Sequence, residues 1–176
     1  IDTYIIHVDN QIGFTSILFE DTIDGSILQD TPTGLYNDTY YWRVKAYDIL
    51  GNEGPYSGTR GFLVDTNVDA VSLNHPPDGH QTTNQGVNVV WQTVSDSVGI
   101  DSYVVELSND SEFGSVESVN TVQVGNIGDT LTGMYNDSYY WRVFGIDVLG
   151  NAGPKSSTRG LLVDTDVDRV VLSHPP

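Results

Sequence analysis

The chain reads as an all-β protein made of tandem, seven-stranded antiparallel β-sandwiches with a repeat of about 99 residues. Three observations predict this. Short runs of alternating apolar and polar residues are separated by Gly, Pro, Asn and Asp, with no helical period longer than a turn. The chain also repeats itself: Tyr40-Tyr41-Trp42-Arg43-Val44 returns as Tyr139-Tyr140-Trp141-Arg142-Val143, an offset of 139 − 40 = 99. That period is too long for a solenoid unit and suits a small domain with its own core. Finally, cysteine is absent, so core packing has to hold each copy without disulfides or thiolate metal sites.

Residues 1–77 lie over 100–176 without a gap, and 40 of the 77 pairs are identical. Identity is dense after Thr33 and sparse before it, so residues 10–30 against 109–129 form the dissimilar stretch. Ile1 matches Ile100, and residues 68–99 have no counterpart upstream. The expected organisation is therefore a partial sandwich over 1–67, a complete one over 68–166, and the opening strand of a third over 167–176. A chain that starts and stops inside domains is expected to come from a longer array.

In the complete copy the alternation places strands near 68–74, 86–92, 101–108, 117–124, 138–147 and 158–164. Val87, Val89 and Trp91 share one face. So do Tyr103, Val105 and Leu107, then Tyr139, Trp141 and Val143, then Leu161 and Val163. These four faces are the expected core, and Trp91 and Trp141 bring its largest side chains. Between the last two strands, Asp147-Val148-Leu149-Gly150-Asn151-Ala152-Gly153-Pro154 repeats Asp48-Ile49-Leu50-Gly51-Asn52-Glu53-Gly54-Pro55. Gly-Asn supplies positive φ, the Pro ends ladder pairing, and the Asp can accept the loop's own N–H groups, which favours a structural role over a ligand site.

Pro77-Asp78-Gly79, a strand ending at Trp91, Gly99-Ile100-Asp101-Ser102-Tyr103, Phe113, and Tyr-Tyr-Trp-Arg-Val leading through Asp-x-x-Gly-Asn to Val-Asp-Thr together resemble bacterial and archaeal fibronectin type III-like (immunoglobulin-like) repeats of surface proteins. The resemblance implies a tyrosine corner at Tyr139 or Tyr140, and alternation favours Tyr139. It implies a fold and a setting in surface arrays, and no particular binding activity.

Candidate chemistry concentrates where one copy ends and the next begins. Asp65-Thr66-Asn67-Val68-Asp69 and Asp164-Thr165-Asp166-Val167-Asp168 carry oxygen side chains at alternate positions. In an extended strand Asp65, Asn67 and Asp69, and likewise Asp164, Asp166 and Asp168, share a face of hard ligands suited to inter-domain Ca²⁺, with Asp96 or Glu53 completing the shell. The Asp-x-Asp-x-Asp-Gly loop of an EF-hand is lacking, and acidic strand ends also serve solubility. Asn37, Asn109 and Asn136 head glycosylation sequons, though Asn-Asp is ordinary turn composition. His75-Pro76-Pro77 and His174-Pro175-Pro176 read as rigid spacers beside incidental histidines.

Acidic residues number 24 against 7 Lys+Arg, a net charge of −17, which excludes phosphate-backbone binding and disfavours anionic membranes. No apolar run is long enough for a membrane helix. No nucleophile-elbow, zinc-protease or P-loop pattern occurs, so catalysis is not expected in this stretch. The expected function is a structural or adhesive array on a cell surface, outside the cell, as a stalk, sheath or filament whose partners are other copies of the repeat. Alternatives are a glycan- or protein-binding module that uses residues 109–129, and spacer domains of a secreted polysaccharide-degrading enzyme. Polymerisation by strand donation from residues 167–176 is a further option, but nothing supplies the equivalent of residues 86–92.

Overall fold

Alternation resolves into strands alone: the computed structural model describes residues 1–167, and among them there is no helix. Two units form, Ile1–Thr66 and Asn67–Pro176. The first contains β1 (Thr3–Asp9), β2 (Phe19–Asp24), β3 (Asp38–Tyr47) and β4 (Arg60–Val64). These make one antiparallel sheet in the order β2-β1-β3-β4.

The second unit contains β5 (Leu73–His75), β6 (His80–Thr82), β7 (Val87–Trp91), β8 (Ile100–Ser108), β9 (Ser118–Gln123), β10 (Gly128–Leu131), β11 (Asp137–Asp147) and β12 (Arg159–Val163). They form two sheets, β10-β7-β5 and β6-β12-β11-β8-β9. Side chains of both sheets meet in one core: Val87, Val89, Trp91 and Leu131 from the small sheet, and Tyr103, Leu107, Trp141, Val143 and Val163 among those from the large one. Trp91 and Trp141 are both 0 % exposed, and the Trp91 ring lies 5.5 Å from that of Tyr103. The second unit is thus a β-sandwich, and all four expected inward faces point inward.

Strands β2 and β9, and β4 and β12, stand at residue numbers that differ by 99 at both ends. The four-stranded sheet of the first unit therefore corresponds to β9-β8-β11-β12 of the second.

Three details differ from the sequence expectation. The opening strand, expected near 68–74, is split into β5 and β6, which lie in different sheets, with Pro76-Pro77 between them. Proline has no N–H for a ladder, so pairing breaks there and the chain changes sheet. Strand β6 then runs parallel to β12, with Leu161 opposite His80. The fifth strand, β10, begins Gly128-Asp129-Thr130 and shows no apolar alternation; it is a strand because it pairs with β7 from Val90 to Val87. A Cβ on Gly128 would lie 2.9 Å from the Val89 carbonyl oxygen, so this close approach requires glycine. The expected opening strand of a third copy, residues 167–176, lies beyond the described residues except for Val167.

Trp141→Ala is expected to destabilise the second unit by about 3–5 kcal/mol in a denaturant titration. The same change at half-buried Trp42, its counterpart, is expected to cost the first unit clearly less, because less surface leaves water there. Equal losses would contradict the different covering of the two sheets.

Candidate functional site

The first unit keeps its sheet but has no second layer among the described residues, and its inward-type side chains line a groove of about 490 Å³. Trp42, Val44 and Phe62 form the floor, and Tyr4 and Ile23 lie along it. These three floor residues are half-buried, whereas their counterparts Trp141, Val143 and Leu161 are at most 2 % exposed. Residues Ile27, Gln29, Asp30 and Pro32 make a wall. Oδ2 of Asp30 is buried there without a hydrogen-bond partner among the described residues.

The acidic run after each last strand is organised by the sequon asparagines. In the first unit the Asn37 carbonyl accepts from Thr66 N and Oγ1 at 2.9 and 2.7 Å, and its amide donates to Asp65 Oδ1 at 3.2 Å. In the second, the Asn136 carbonyl accepts from Thr165 N and Oγ1 at 2.7 and 2.5 Å, and its amide donates to Asp166 Oδ2 at 2.5 Å. Asp164 Oδ1 accepts from Asp166 N at 3.2 Å. The runs lie past the ends of β4 and β12, and an Asn side chain from upstream is hydrogen-bonded into each. Asn67 and Asp69 are exposed, and Asp168 lies outside the described residues. A glycan on Asn37 or Asn136 would replace an amide hydrogen beside these carboxylates, and the third sequon residue, Asn109, is exposed just after β8.

Val68 lies near the start of the second unit, beside Gly145 and Gly153. It is 5 % exposed and packs where Cβ atoms on Gly145 and Gly153 would lie 3.2 and 3.0 Å from it. Two loops meet at this end, and carboxylate oxygens of Asp96 and Asp147 come within 4.8 Å of each other. Asp96 Oδ1 accepts from Val98 N and Gly99 N at 3.0 Å each. Asp147 accepts from Asn151 N and Nδ2, both at 2.7 Å, and Gly150 turns the loop at φ +89°. Burial pushes the Asp147 carboxyl up, but the Asn151 side chain and the backbone N–H groups of Asn151, Leu149 and Gly150 together hold it below its ordinary value. Asp48 is lowered in the same way, chiefly by Asn52. These two carboxylates are the only expected turn acceptors, and both serve that role.

The tyrosine corner falls on Tyr139, whose hydroxyl accepts from Tyr135 N at 3.1 Å; Tyr40 does the same to Tyr36 N at 3.1 Å. The outer faces hold most of the described cations. Arg43 lies between the rings of Phe14 and Tyr56, at 4.0 and 3.8 Å, and Arg142 covers Phe113 at 3.8 Å. Arg142 and Lys155 both bind Glu106, at 2.6 and 2.8 Å. Burial pushes that carboxyl up, yet the two cations keep it below its usual range. This pairing was not read from the sequence, because Glu106 and Lys155 are brought together only by strand pairing.

No family model matches the chain, and no curated protein matches it. Solved structures do. A crystal structure of the chicken CNTN1 FN1–FN3 domains is 17 % identical with a TM-score of 0.47, covering 92 % of this chain and 55 % of that one. The sixth fibronectin type III domain of human fibronectin type III domain containing protein 3 is 19 % identical with a TM-score of 0.47, covering 61 % and 96 %. Pectate lyase Pel3 from Pectobacterium carotovorum is 15 % identical with a TM-score of 0.39, covering 62 % and 29 %. The chain thus spans about half the length of the first of these.

Because the Asp147 carboxyl is held low, the folded second unit binds fewer protons than the unfolded chain. Its contribution is whole above the ordinary value of about 3.9 and is lost as pH falls through the lower folded value. Asp147→Asn is therefore expected to lower the melting temperature at pH 7 and to flatten its decline between about pH 5 and pH 2. A variant curve parallel to that of the parent would refute this role.

Proposed function

We propose that this chain is a stretch of a structural or adhesive array of β-sandwich repeats on a cell surface, forming a stalk, sheath or filament and carrying no catalytic site of its own. The observation that carries the proposal is the 99-residue repeat of the sequence, in which 40 of 77 aligned pairs are identical. Val68 packs at the end of the second unit against Gly145 and Gly153, and the sequence repeats a Val at the corresponding position 99 residues on. A sequence that presents the same apolar plug after each last strand suits head-to-tail assembly, in which each copy's exit segment seals the next copy. The Asn37 and Asn136 latches support it, because each fixes the chain's exit direction within its own unit. No helix among the described residues is long and apolar enough to cross a membrane, and the net charge of −17 suits an exposed, soluble surface.

Calcium belongs to the same proposal. Asp96 and Asp147 offer a pair of carboxylates beside the point where residues 67–69 enter the second unit, and Asp147 is kept ionised by its own loop. An ion there would stiffen the entry segment against the domain end.

An antibody raised against residues 1–176 is expected to decorate intact cells in immunogold micrographs; antigen confined to the cell interior would overturn the surface assignment. Isothermal titration with Ca²⁺ is expected to show binding, with a melting temperature that EDTA lowers. Absence of both removes calcium from the proposal and leaves the array.

A further inference from the structure

Asn37-Asp38-Thr39, Asn109-Asp110-Ser111 and Asn136-Asp137-Ser138 share one composition, and all three asparagines are exposed. The fold treats them differently. Strand β3 begins at Asp38 and β11 at Asp137, so two of the three sequons run straight into a ladder. Asp38 and Thr39 pair with Val64 and Leu63, and Asp137 and Ser138 pair with Val163 and Leu162. Their asparagines are held as well. The Asn37 carboxamide bridges Thr66 and Asp65, and that of Asn136 bridges Thr165 and Asp166, each with its nitrogen facing a carboxylate.

Asn109 stands in the turn between β8 and β9, outside any ladder. Its neighbours close that turn. Ser108 Oγ donates to the Ser115 carbonyl at 2.6 Å and accepts from Asp110 N at 2.9 Å, and the Asp110 carboxylate accepts from Glu112 N and Gly114 N at 3.0 and 2.9 Å. Buried Phe113, under the Arg142 guanidinium at 3.8 Å, anchors the loop. The Asn109 and Ser111 side chains take no part in these bonds, and both residues are exposed. Transfer of an oligosaccharide to asparagine needs a free carboxamide nitrogen and a free hydroxyl two residues on, in a segment that can enter an enzyme's cleft. Lifting residues 109–111 disturbs one turn. Lifting 37–39 or 136–138 breaks strand pairing and the asparagine's own bonds, an opening of higher free energy. Asn10, the counterpart of Asn109, is followed by Gln11-Ile12 and lacks the hydroxyl residue altogether.

We propose that Asn109 is an N-glycosylation acceptor of the folded chain, and that the fold withholds Asn37 and Asn136 from the same modification. The bond formed joins Asn109 Nδ2 to the anomeric carbon of a sugar. The bond broken joins that carbon to a lipid diphosphate, which leaves, and the amide proton passes to the transferase. The glycan then stands on the turn after β8, inside the stretch 109–129 where the two copies differ most. The inference rests on the surface-array reading, because a chain meets lipid-linked sugar donors on its way out of the cell.

The test incubates the folded chain of residues 1–176 with a lipid-linked oligosaccharide and a single-subunit oligosaccharyltransferase that requires only Asn-x-Ser/Thr. Intact mass counts the glycans and peptide mapping places them. One oligosaccharide is expected, on Asn109, added about tenfold or more faster than at Asn37 or Asn136. Asn109→Gln and Ser111→Ala, both at exposed positions, are each expected to leave the folded chain unmodified. Short synthetic peptides centred on Asn37 and Asn136 are expected to be modified at least as readily as one centred on Asn109, so that the selection belongs to the fold. Transfer to Asn37 or Asn136 of the folded chain as fast as to Asn109 overturns the proposal, as does an unmodified Asn109. Peptides that repeat the preference of the folded chain also overturn it, since local sequence would then account for the choice. The assay does not depend on where the chain resides, so its failure is distinct from a failure of the immunogold result.

Discussion

A β-sheet that is apolar on one face needs a partner for that face, and this requirement orders the whole chain. In the second unit the partner is the three-stranded sheet β10-β7-β5, and the two tryptophans that meet the interface lose all contact with solvent. Secondary contacts then become available. Arg159 can reach β5, Tyr103 can hold the chain after β7, and Val68 can seat against glycines at the end of the core. In the first unit the same strands form in the same register, so pairing does not depend on the covering sheet. What does depend on it is the removal of Trp42, Val44 and Phe62 from water.

A quarter of the chain's 24 acidic residues are turn acceptors of one kind. Asp9, Asp24, Asp48, Asp96, Asp110 and Asp147 each accept backbone N–H groups of residues just downstream, closing the loop in which they sit. Such bonds lower the Asp24, Asp48, Asp110 and Asp147 carboxyls, because they favour the charged form. The scarce cations are used with equal economy. Arg43, Arg142 and Lys155 lie over aromatic rings, and two of them share Glu106. Isolated exposed ion pairs contribute about 0–1 kcal/mol, so the aromatic faces carry much of this arrangement.

The legible part of the fold was the part encoded locally. Alternation marked β7, β8, β9, β11 and β12 to within a residue or two, and it put Trp91 and Trp141 inward. Asp147 and Gly150 shaped their loop as their chemistry requires. Strand β10 escaped because Gly-Asp-Thr carries no strand pattern, and only pairing with β7 makes it one. The split of the opening strand escaped because proline says where a ladder stops, not which sheet takes the next residues. At the candidate metal run the residue types were noted correctly, but their geometry was set from a distance. Asn37 and Asn136, 29 residues upstream, hydrogen-bond the threonine of each run.

The sequence by itself determined β7, β8, β9, β11 and β12, their inward faces, the Asp147 turn and the 99-residue period, because each is set by neighbours a few residues apart or by direct comparison of the chain with itself. The tertiary structure decided which sheet each short strand joins, where Val68 seats, how Glu106 gathers two cations, and that one sheet has its covering layer while the other presents a groove. Those outcomes arise from contacts between residues far apart in the chain, and the closure of such contacts is a property of the folded arrangement that no local pattern carries.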